Sequence, residues 1–383
     1  MKNPPRVVHI VPALFGWENV FGGAERFALE LARAMARRVP TTLISFGANS
    51  AQLRLDDLDV RVLKNWIHFR RFKFNPMTPM LMAHLASADI IHIHQPETLA
   101  ASLALLLARL TGKKIFTTHL GGAGFGLHQI FNVTNWYHGH LHLSSFSQKT
   151  FGHEELPSAR PIFAGVDTNQ FMPDPNVPRD GGPVFVGRLL PHKGINYLIE
   201  AMDPEIPLTI VGRHWSHARK FDQLLNDLSQ GKNIHFIEGK TYEPGTWAPE
   251  GDNTIIREAC QRALCVVLPS VHDTVFGEHH NVPELLGLVL LEGMACGAPA
   301  LVTDVCSLPE VVQDGVTGFI VPPNDAGALR EKIRWFWEHP EETRAMGQAA
   351  RQYVLDHFTW DRTVNRCFEA YGVPEPLAAP VAT

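Results

Sequence analysis

Short apolar runs alternate with longer stretches of helical periodicity along most of the 383-residue chain. This alternation of strand and helix is typical of a parallel sheet with helices packed on both faces. It occurs twice, so the sequence predicts two doubly wound α/β domains. The predicted strands of the first half are 7–11, 41–45, 60–63, 90–92, 114–117, 142–145 and 161–163. Those of the second half are 184–186, 208–211, 234–237, 265–268, 299–302 and 318–321.

The boundary between the two halves is predicted from a stretch without periodicity. Residues 172–183, MPDPNVPRDGGP, are dense in proline and glycine and are interpreted as a linker. This gives an N-terminal domain over 1–172 and a C-terminal domain over 183–358. Two further helices are predicted around the cap residue Thr359, and the proline- and alanine-rich tail 373–383 is predicted to be disordered.

Composition narrows the class of protein. Hydrophobic residues make up 45% and charged residues 19%, which is ordinary for a globular enzyme, and a net charge of -5 gives no general attraction to nucleic acid. The five cysteines show no metal-ligand spacing and are interpreted as reduced thiols of a cytoplasmic protein. No signal peptide is recognised, and the most apolar run, 99–110, is shorter than the roughly 20 residues of a membrane span.

The stretch 283–297, PELLGLVLLEGMACG, carries two glutamates, Glu284 and Glu292, around a helix that is expected to start after Gly287. The free N–H groups at a helix start favour a phosphate. Eight helical residues rise about 12 Å, whereas glycosidase carboxyl pairs lie roughly 5 to 9.5 Å apart. The two carboxylates therefore suit two parts of one elongated ligand. The competing interpretation is a buried helix with two solvated glutamates.

A second stretch, 185–194, FVGRLLPHKG, is a predicted strand that ends at Gly187 and is followed by Arg188 and Lys193. A planar guanidinium and a mobile ammonium together complement a diphosphate. Gly194 permits a tight start to the next helix. A solvated basic loop is the alternative, and the glutamate stretch a hundred residues later argues against it.

With these motifs the sequence resembles the retaining nucleotide-sugar glycosyltransferases of the GT-B fold, glycosyltransferase family four. The resemblance covers nearly the whole chain. Its other matching segments are the first strand, loop and helix at 7–35 with Gly22 and Gly23, 88–96 (ADIIHIHQP), 114–122 (KIFTTHLGG) with His119, 165–171 (GVDTNQF) and 308–325 (LPEVVQDGVTGFIVPPND).

The resemblance implies two facing Rossmann-like domains with a cleft between them, and a last helix, 359–372, that packs back on the first domain. The C-terminal domain would hold the nucleotide sugar and the N-terminal domain the acceptor. Glu292 would meet the ribose, Glu284 the sugar hydroxyls and His119 the transferred sugar. The implied catalytic residues are Glu284, His119, Arg188 and Lys193. The implied donor-binding residues are Gly22, Gly23, Gly187, Arg188, Lys193, Leu288, Val289 and Glu292.

The implied activity is a hexosyl transfer from a UDP- or GDP-sugar to a glycan or lipid-linked acceptor with retention of anomeric configuration, in cell-surface polysaccharide or glycolipid synthesis. No cofactor and no obligatory metal are expected. Two alternatives stay open: another GT-B enzyme, such as a sugar-nucleotide epimerase or a phosphorylase, and a non-catalytic nucleotide-sugar binder.

The sequence departs from the family's pattern in three places. Ala164 replaces a usual asparagine, Cys306 and Ser307 replace a glycine pair, and residues 271–283 read as an insertion beside the donor site. That segment contains His279 and His280.

Other histidines and a basic aromatic segment leave further alternatives. His138, His140 and His142 alternate and would share one face of a strand, but no carboxylate pattern marks a metal site. Residues 64–74, KNWIHFRRFKF, mix basic and aromatic side chains. They are interpreted either as inward-packing strand and loop or as a peripheral contact with an anionic membrane.

Overall fold

The computed structural model describes residues 4–12, 23–66, 75–121, 124–214, 219–238 and 253–374. The chain forms two compact units. The first contains the described residues up to Ala164 and from Trp360 onward, and the second contains the described residues between Gly165 and Thr359. Residues 172–183 lie within the second unit. Gly22, most of the basic aromatic segment 64–74 and the tail beyond residue 374 lie outside the described residues.

Fourteen strands and twelve α-helices are present in the described ranges. The strands are β1 (Val7–Ile10), β2 (Thr41–Gly47), β3 (Ala51–Leu55), β4 (Leu58–Lys64), β5 (Ile90–His94), β6 (Lys114–Thr118), β7 (Gly139–His142), β8 (Ala159–Pro161), β9 (Val184–Leu189), β10 (Leu208–His214), β11 (Ile234–Glu238), β12 (Val266–Leu268), β13 (Ala300–Thr303) and β14 (Gly318–Val321). The helices are α1 (Gly23–Ala36), α2 (Met80–Leu85), α3 (Leu99–Thr111), α4 (Ser145–Thr150), α5 (Ile195–Ala201), α6 (Arg219–Leu228), α7 (Asn253–Arg262), α8 (Leu288–Ala295), α9 (Leu308–Val311), α10 (Ala326–Glu338), α11 (Pro340–His357) and α12 (Trp360–Tyr371).

Each unit is built on one sheet. The first sheet has the order β3-β4-β2-β1-β5-β6-β7-β8, and the second has the order β11-β10-β9-β12-β13-β14. All neighbouring strands pair in parallel except β3 and β4, which are antiparallel. The central strands β1 and β5 are buried along their whole length, as expected of parallel strands covered on both faces. The predicted fold class, two doubly wound α/β domains, is confirmed.

Several element boundaries differ from the prediction. The strand predicted at 142–145 is β7, which ends at His142, because Ser144 caps α4 by accepting a hydrogen bond from the Ser147 amide. The strand predicted at 161–163 is β8, which ends at Pro161. The prediction missed β3, whose edge position leaves it mostly exposed and without a continuous apolar run.

The last helix packs on the first unit along its length. The Lys114 ammonium donates to the Tyr371 carbonyl at 2.8 Å, and the Arg366 guanidinium donates to the Ile162 carbonyl at 3.1 Å. Near the start of the helix, Arg38 forms an ion pair with Asp361 at 2.9 Å. These contacts tie α12 to β6, to the residue after β8 and to the segment after α1. No helix among the described residues is both long and apolar enough to span a bilayer.

Three histidines, His9, His92 and His94, lie fully buried in the sheet of the first unit. His9 Nδ1 is 2.9 Å from His94 Nε2, and His92 contacts the hydroxyls of Thr118 at 2.6 Å and Tyr371 at 2.7 Å. Burial lowers the pKa of His9 to about 3 and lowers the pKa of His92 and His94 well below the usual value. The three imidazoles are therefore neutral in the folded protein.

We expect the first unit to lose stability as pH falls from about 6.5 toward 3. The unfolded histidines titrate near pH 6.5 while the folded ones resist protonation, so the unfolded state binds more protons throughout that window. Each such histidine costs about 1.4 kcal/mol of unfolding free energy per pH unit. Urea unfolding at pH 7.5, 6.5 and 5.5, with pulsed hydrogen exchange of the β1 and β5 peptides, measures this loss. A midpoint that stays constant over these three values contradicts the prediction.

Candidate functional site

The carboxyl end of β9 carries the first predicted site residues of the second unit. The strand extends past Gly187 through Arg188 to Leu189, so the prediction that it ends at Gly187 was wrong. Gly187 pairs with Gly212 of the neighbouring strand β10, and a Cβ on Gly212 would lie 2.4 Å from the Gly187 carbonyl oxygen. The paired glycines let the two backbones approach closely. Arg188 follows Gly187 with an exposed side chain at this edge.

Lys193 lies in the turn between β9 and α5. Residues 191–193 form a single 3-10 turn that begins at Pro191, and Gly194 ends it with a φ of 68°. A Cβ on Gly194 would lie 1.8 Å from the Pro269 carbonyl oxygen, so no side chain fits there. The glycine thus allows the turn to pack directly on the segment after β12.

Lys193 and Glu284 form an ion pair although they are 91 positions apart. The Lys193 Nζ lies 2.8 Å from a Glu284 carboxylate oxygen, and it also donates to the Pro283 carbonyl at 2.9 Å. The two side chains are only 12% and 16% exposed. The other Glu284 oxygen accepts a hydrogen bond from the Leu285 amide at 3.3 Å. This geometry fixes the carboxylate beside the ammonium.

Helix α8 starts one turn after Glu284, as the sequence predicts. Gly287 caps it with a φ of 88°, and the helix runs over Leu288–Ala295. The amides of Leu288 and Val289 lie in the first turn, where N–H groups have no carbonyl partner within the helix. Glu292 lies further along this helix and is 4% exposed. The two glutamates therefore occupy a loop and a buried helical position, in agreement with two separate roles.

Residues 271–283, interpreted as an insertion, pack on the turn that carries Lys193. The Val271 amide donates to the His192 carbonyl at 2.9 Å, and the His280 ring lies 4.6 Å from the His192 ring. Asp273 and His279 face each other across an antiparallel bridge and form a 2.7 Å contact. The adjacent histidines His279 and His280 thus point to different partners.

His192 was not singled out from the sequence. Its pKa is lowered to about 3, mainly by burial and further by the positive charge of Lys193. A neutral imidazole therefore lies beside Lys193 and packs on His280 of the inserted segment. The sequence predicts roles only for the next two residues, Lys193 and Gly194, and His192 itself belongs to no recognised pattern.

The predicted histidine of the first unit, His119, follows β6 directly and is 7% exposed. Its Nδ1 lies 3.2 Å from a Glu97 carboxylate oxygen and its Nε2 lies 3.2 Å from His140 Nδ1. Burial lowers the pKa of His119 to about 3 and raises the pKa of Glu97. Glu97, which follows β5 and the segment 88–96, was missed because that segment was interpreted only as a strand. Gly23 is the first residue of α1.

The predicted alternation of three histidines on one strand holds for two of them. His140 and His142 lie in β7 and are buried, whereas His138 precedes the strand with an exposed side chain. His138 Nδ1 instead accepts a hydrogen bond from the Ile115 amide at 3.1 Å.

Two family models match the chain. Residues 183–353 match the model described as glycosyl transferases group 1, and residues 21–151 match the model described as Glycosyltransferase Family 4. The described donor-site candidates Gly187, Arg188, Lys193, Glu284, Leu288, Val289 and Glu292 lie within the first match, and His119 lies within the second.

Relatives and solved structures agree with these matches. A GDP-mannose-dependent alpha-(1-6)-phosphatidylinositol monomannoside mannosyltransferase of Mycolicibacterium smegmatis is 30% identical over 302 residues, which cover 71% of this chain and 75% of the relative. An alpha-maltose-1-phosphate synthase of the same organism is 30% identical over 49% of this chain and 46% of the relative.

Solved structures of low identity share the fold. Sucrose-phosphate synthase of Thermosynechococcus elongatus has a TM-score of 0.73 at 19% identity, covering 96% of this chain and 98% of that chain. Anabaena HepE in complex with UDP and glucose has a TM-score of 0.69 at 16% identity, covering 96% of this chain and 99% of that chain. The two Rossmann-like units are therefore of the GT-B type, and the chain belongs to the group 1, family 4 glycosyltransferases.

Proposed function

We propose that the chain transfers a hexosyl group from a UDP- or GDP-sugar to a glycan or lipid-linked acceptor, with retention of configuration at the anomeric carbon. The observation that carries the proposal is the ion pair of Lys193 and Glu284, which lies between the edge with Arg188 and the start of α8. One edge of the second sheet thus carries the two cations Arg188 and Lys193, the start of α8 and the fixed carboxylate of Glu284. Open α/β sheets bind their ligands at this edge.

The donor diphosphate would bind to Arg188, Lys193 and the amides of Leu288 and Val289. An ammonium has three N–H donors, and the Pro283 carbonyl and the Glu284 carboxylate accept two of those of Lys193. The third can bind a phosphate oxygen while the pair keeps Glu284 in place. Positive charge held there before the reaction stabilises the departing diphosphate without reorganisation.

The two glutamates would bind the two ends of the donor. Glu284 is oriented by an ammonium and an amide, so its oxygens can accept hydrogen bonds from the sugar hydroxyls. Glu292, on α8, would accept from the ribose hydroxyls. Gly187, with no side chain at the carboxyl end of β9, would let the donor lie close to the backbone.

Within the first unit, His119 would act on the acceptor side, next to the transferred sugar, as the resemblance implies. Gly22 and Gly23 would complete the donor site from that unit. In a retaining transfer by front-face attack, the leaving phosphate oxygen accepts the proton of the acceptor hydroxyl. That mechanism needs no side-chain nucleophile and depends on positioning.

The mannosyltransferase relative of Mycolicibacterium smegmatis is matched over 75% of its length. Its name gives GDP-mannose as the donor and a phosphatidylinositol mannoside as the acceptor. This supports a GDP-hexose as donor and a glycolipid as acceptor. The complex of HepE with UDP-glucose keeps a UDP-hexose in the proposal.

Cys306, one of the departures from the family pattern, lies beside the proposed sugar site. It adopts a φ of 54°, in the left-handed region where glycine is favoured, and burial together with the nearby Glu284 raises the pKa of its thiol. This backbone conformation explains the family's usual glycine at this position. The cysteine adopts it at a cost of about 1 to 2 kcal/mol. The departure is consistent with an intact site rather than a degenerate binder.

We expect purified protein to bind one nucleoside diphosphate hexose from a panel of uridine, guanosine and adenosine donors and to release the diphosphate slowly. Arg188→Ala should weaken donor binding about 10- to 150-fold, the equivalent of one charge-assisted hydrogen bond of 1.5 to 3 kcal/mol. Glu284→Gln should lower the turnover number by a factor at least about ten times larger than the factor by which it weakens donor binding. The reason is that the hydrogen bonds from the sugar hydroxyls to an ionised carboxylate are expected to be strongest in the transition state. Calorimetry and a coupled diphosphate assay measure both.

The matched control is Glu331→Gln on the exposed face of α10, where the carboxylate pairs only with its neighbour Lys332 among the described residues. It should leave binding and turnover unchanged. A protein that binds no donor on the panel overturns the proposed donor site, and one that binds a donor equally well in all variants without turnover is a binder rather than a transferase.

We expect Cys306→Gly to be more stable than Cys306→Ala by about 1 kcal/mol, because alanine keeps the Cβ that the left-handed backbone disfavours and both variants lack the thiol. The comparison of chemical unfolding midpoints isolates the backbone effect from the loss of sulfur contacts. Equal midpoints for the two variants would show that the turn relaxes and that residue 306 carries no strain.

A further inference from the structure

Three histidines of the first unit direct ring nitrogens toward one point. One nitrogen of each of His119, His142 and His153 lies within 4.8 Å of the other two. We call these three residues the histidine cage. They come from three segments: His119 follows β6, His142 ends β7, and His153 follows α4. Their exposed fractions are 7%, 0% and 8%, so the cage is shielded from bulk water.

One spacing within the cage matches that of two ligands on one ion. His142 Nε2 and His153 Nδ1 are 3.1 Å apart. Zinc binds imidazole at about 2.0 to 2.1 Å, which places two nitrogens of a tetrahedral site about 3.3 Å apart. The backbone of His153 is held in position from both sides, since its amide donates to the Gln148 carbonyl and its carbonyl accepts from the Gln148 side chain, each at 3.0 Å.

The outward ring nitrogens have the partners that metal-bound histidines have. His119 Nδ1 faces the Glu97 carboxylate at 3.2 Å, and His142 Nδ1 faces the Ser147 hydroxyl at 3.4 Å. A ligating histidine commonly donates its second N–H to a carboxylate, a carbonyl or water, which fixes the ring and raises its basicity. Glu97 also supplies a negative charge next to the cage.

The other histidine cluster of this unit lacks these features. His9, His92 and His94 also bring nitrogens within 4.8 Å of one another, but they are fully buried. His92 uses both nitrogens on the hydroxyls of Thr118 and Tyr371. Among the described residues, no carboxylate contacts these three imidazoles, and the Nδ1 of His94 has no hydrogen-bond partner. The arrangement is that of a buried core.

We propose that the histidine cage binds one divalent transition-metal ion of the zinc class, through His119 Nε2, His142 Nε2 and His153 Nδ1, with His140 Nδ1 beside the ion and Glu97 orienting His119. The ion would link the carboxyl ends of β6 and β7 to the loop after α4. Of the three ligands only His119 also has a role in the proposed transfer, so His142 and His153 test the metal site separately from the donor site.

The test uses the full chain without a polyhistidine tag, treated with a chelator and then titrated with Co²⁺ and Zn²⁺. We expect one ion per chain, with the intense visible absorption of four-coordinate Co²⁺ and its replacement by Zn²⁺. His153→Ala and His142→Ala should each abolish the absorption. Glu97→Gln should weaken Zn²⁺ binding about 10- to 100-fold, as expected for an outer partner of a ligand.

The matched control is His138→Ala, which removes an exposed histidine one residue before β7 and should leave the spectrum and stoichiometry unchanged. Circular dichroism checks that each variant folds, and His153→Gln replaces His153→Ala if the latter does not. Absence of Co²⁺ binding to the wild-type chain, or binding that survives in the folded His153 variant, overturns the proposal. Donor binding by the His142 and His153 variants separates this result from the proposed function, since neither residue belongs to the proposed donor site.

Discussion

The ion pair between Lys193 and Glu284 is the contact on which the candidate site depends. Both groups are mostly buried, and removing one partner of a buried pair costs about 3 to 5 kcal/mol because the other charge is left unpaired. The turn after β9 and the loop before α8 must therefore keep their relative positions. Gly194 makes this possible, because any side chain there would collide with the Pro269 carbonyl.

The same constraint separates the two glutamates. Glu284 is held before α8 by Lys193, while Glu292 is buried on the helix itself, beyond the first turn. The first-turn amides of α8 lie between them in sequence. An elongated anionic ligand could therefore meet a carboxylate at each end and N–H groups in the middle. A hydrolytic carboxyl pair would need both groups around one bond, and the fixed Lys193 contact does not favour that arrangement.

Much of the fold could be predicted from the sequence because its central strands are continuous buried runs and its helices have clear ends. The prediction of α8 agrees with its observed bounds, since Gly287 and the apolar run after it are both local signals. The missed features are long-range or exposed. Strand β3 shows too little burial for a pattern, and β9 continues past Gly187 because Gly212 of the neighbouring strand accommodates it. The contacts of His192 depend on a segment 80 residues away.

The histidines of the first unit show that residue type alone does not distinguish a structural histidine from one that could bind a ligand. His92 satisfies both of its nitrogens with hydroxyls, which can donate or accept, so neutral imidazole fits there without further charge. His119 faces the carboxyl group of Glu97 and a second imidazole, that of His140. The difference lies in the partners rather than in burial, which is nearly complete at both positions. The carboxyl end of β6 therefore brings a carboxyl group and several ring nitrogens together, whereas the histidines between β1 and β5 contact one another and hydroxyl groups.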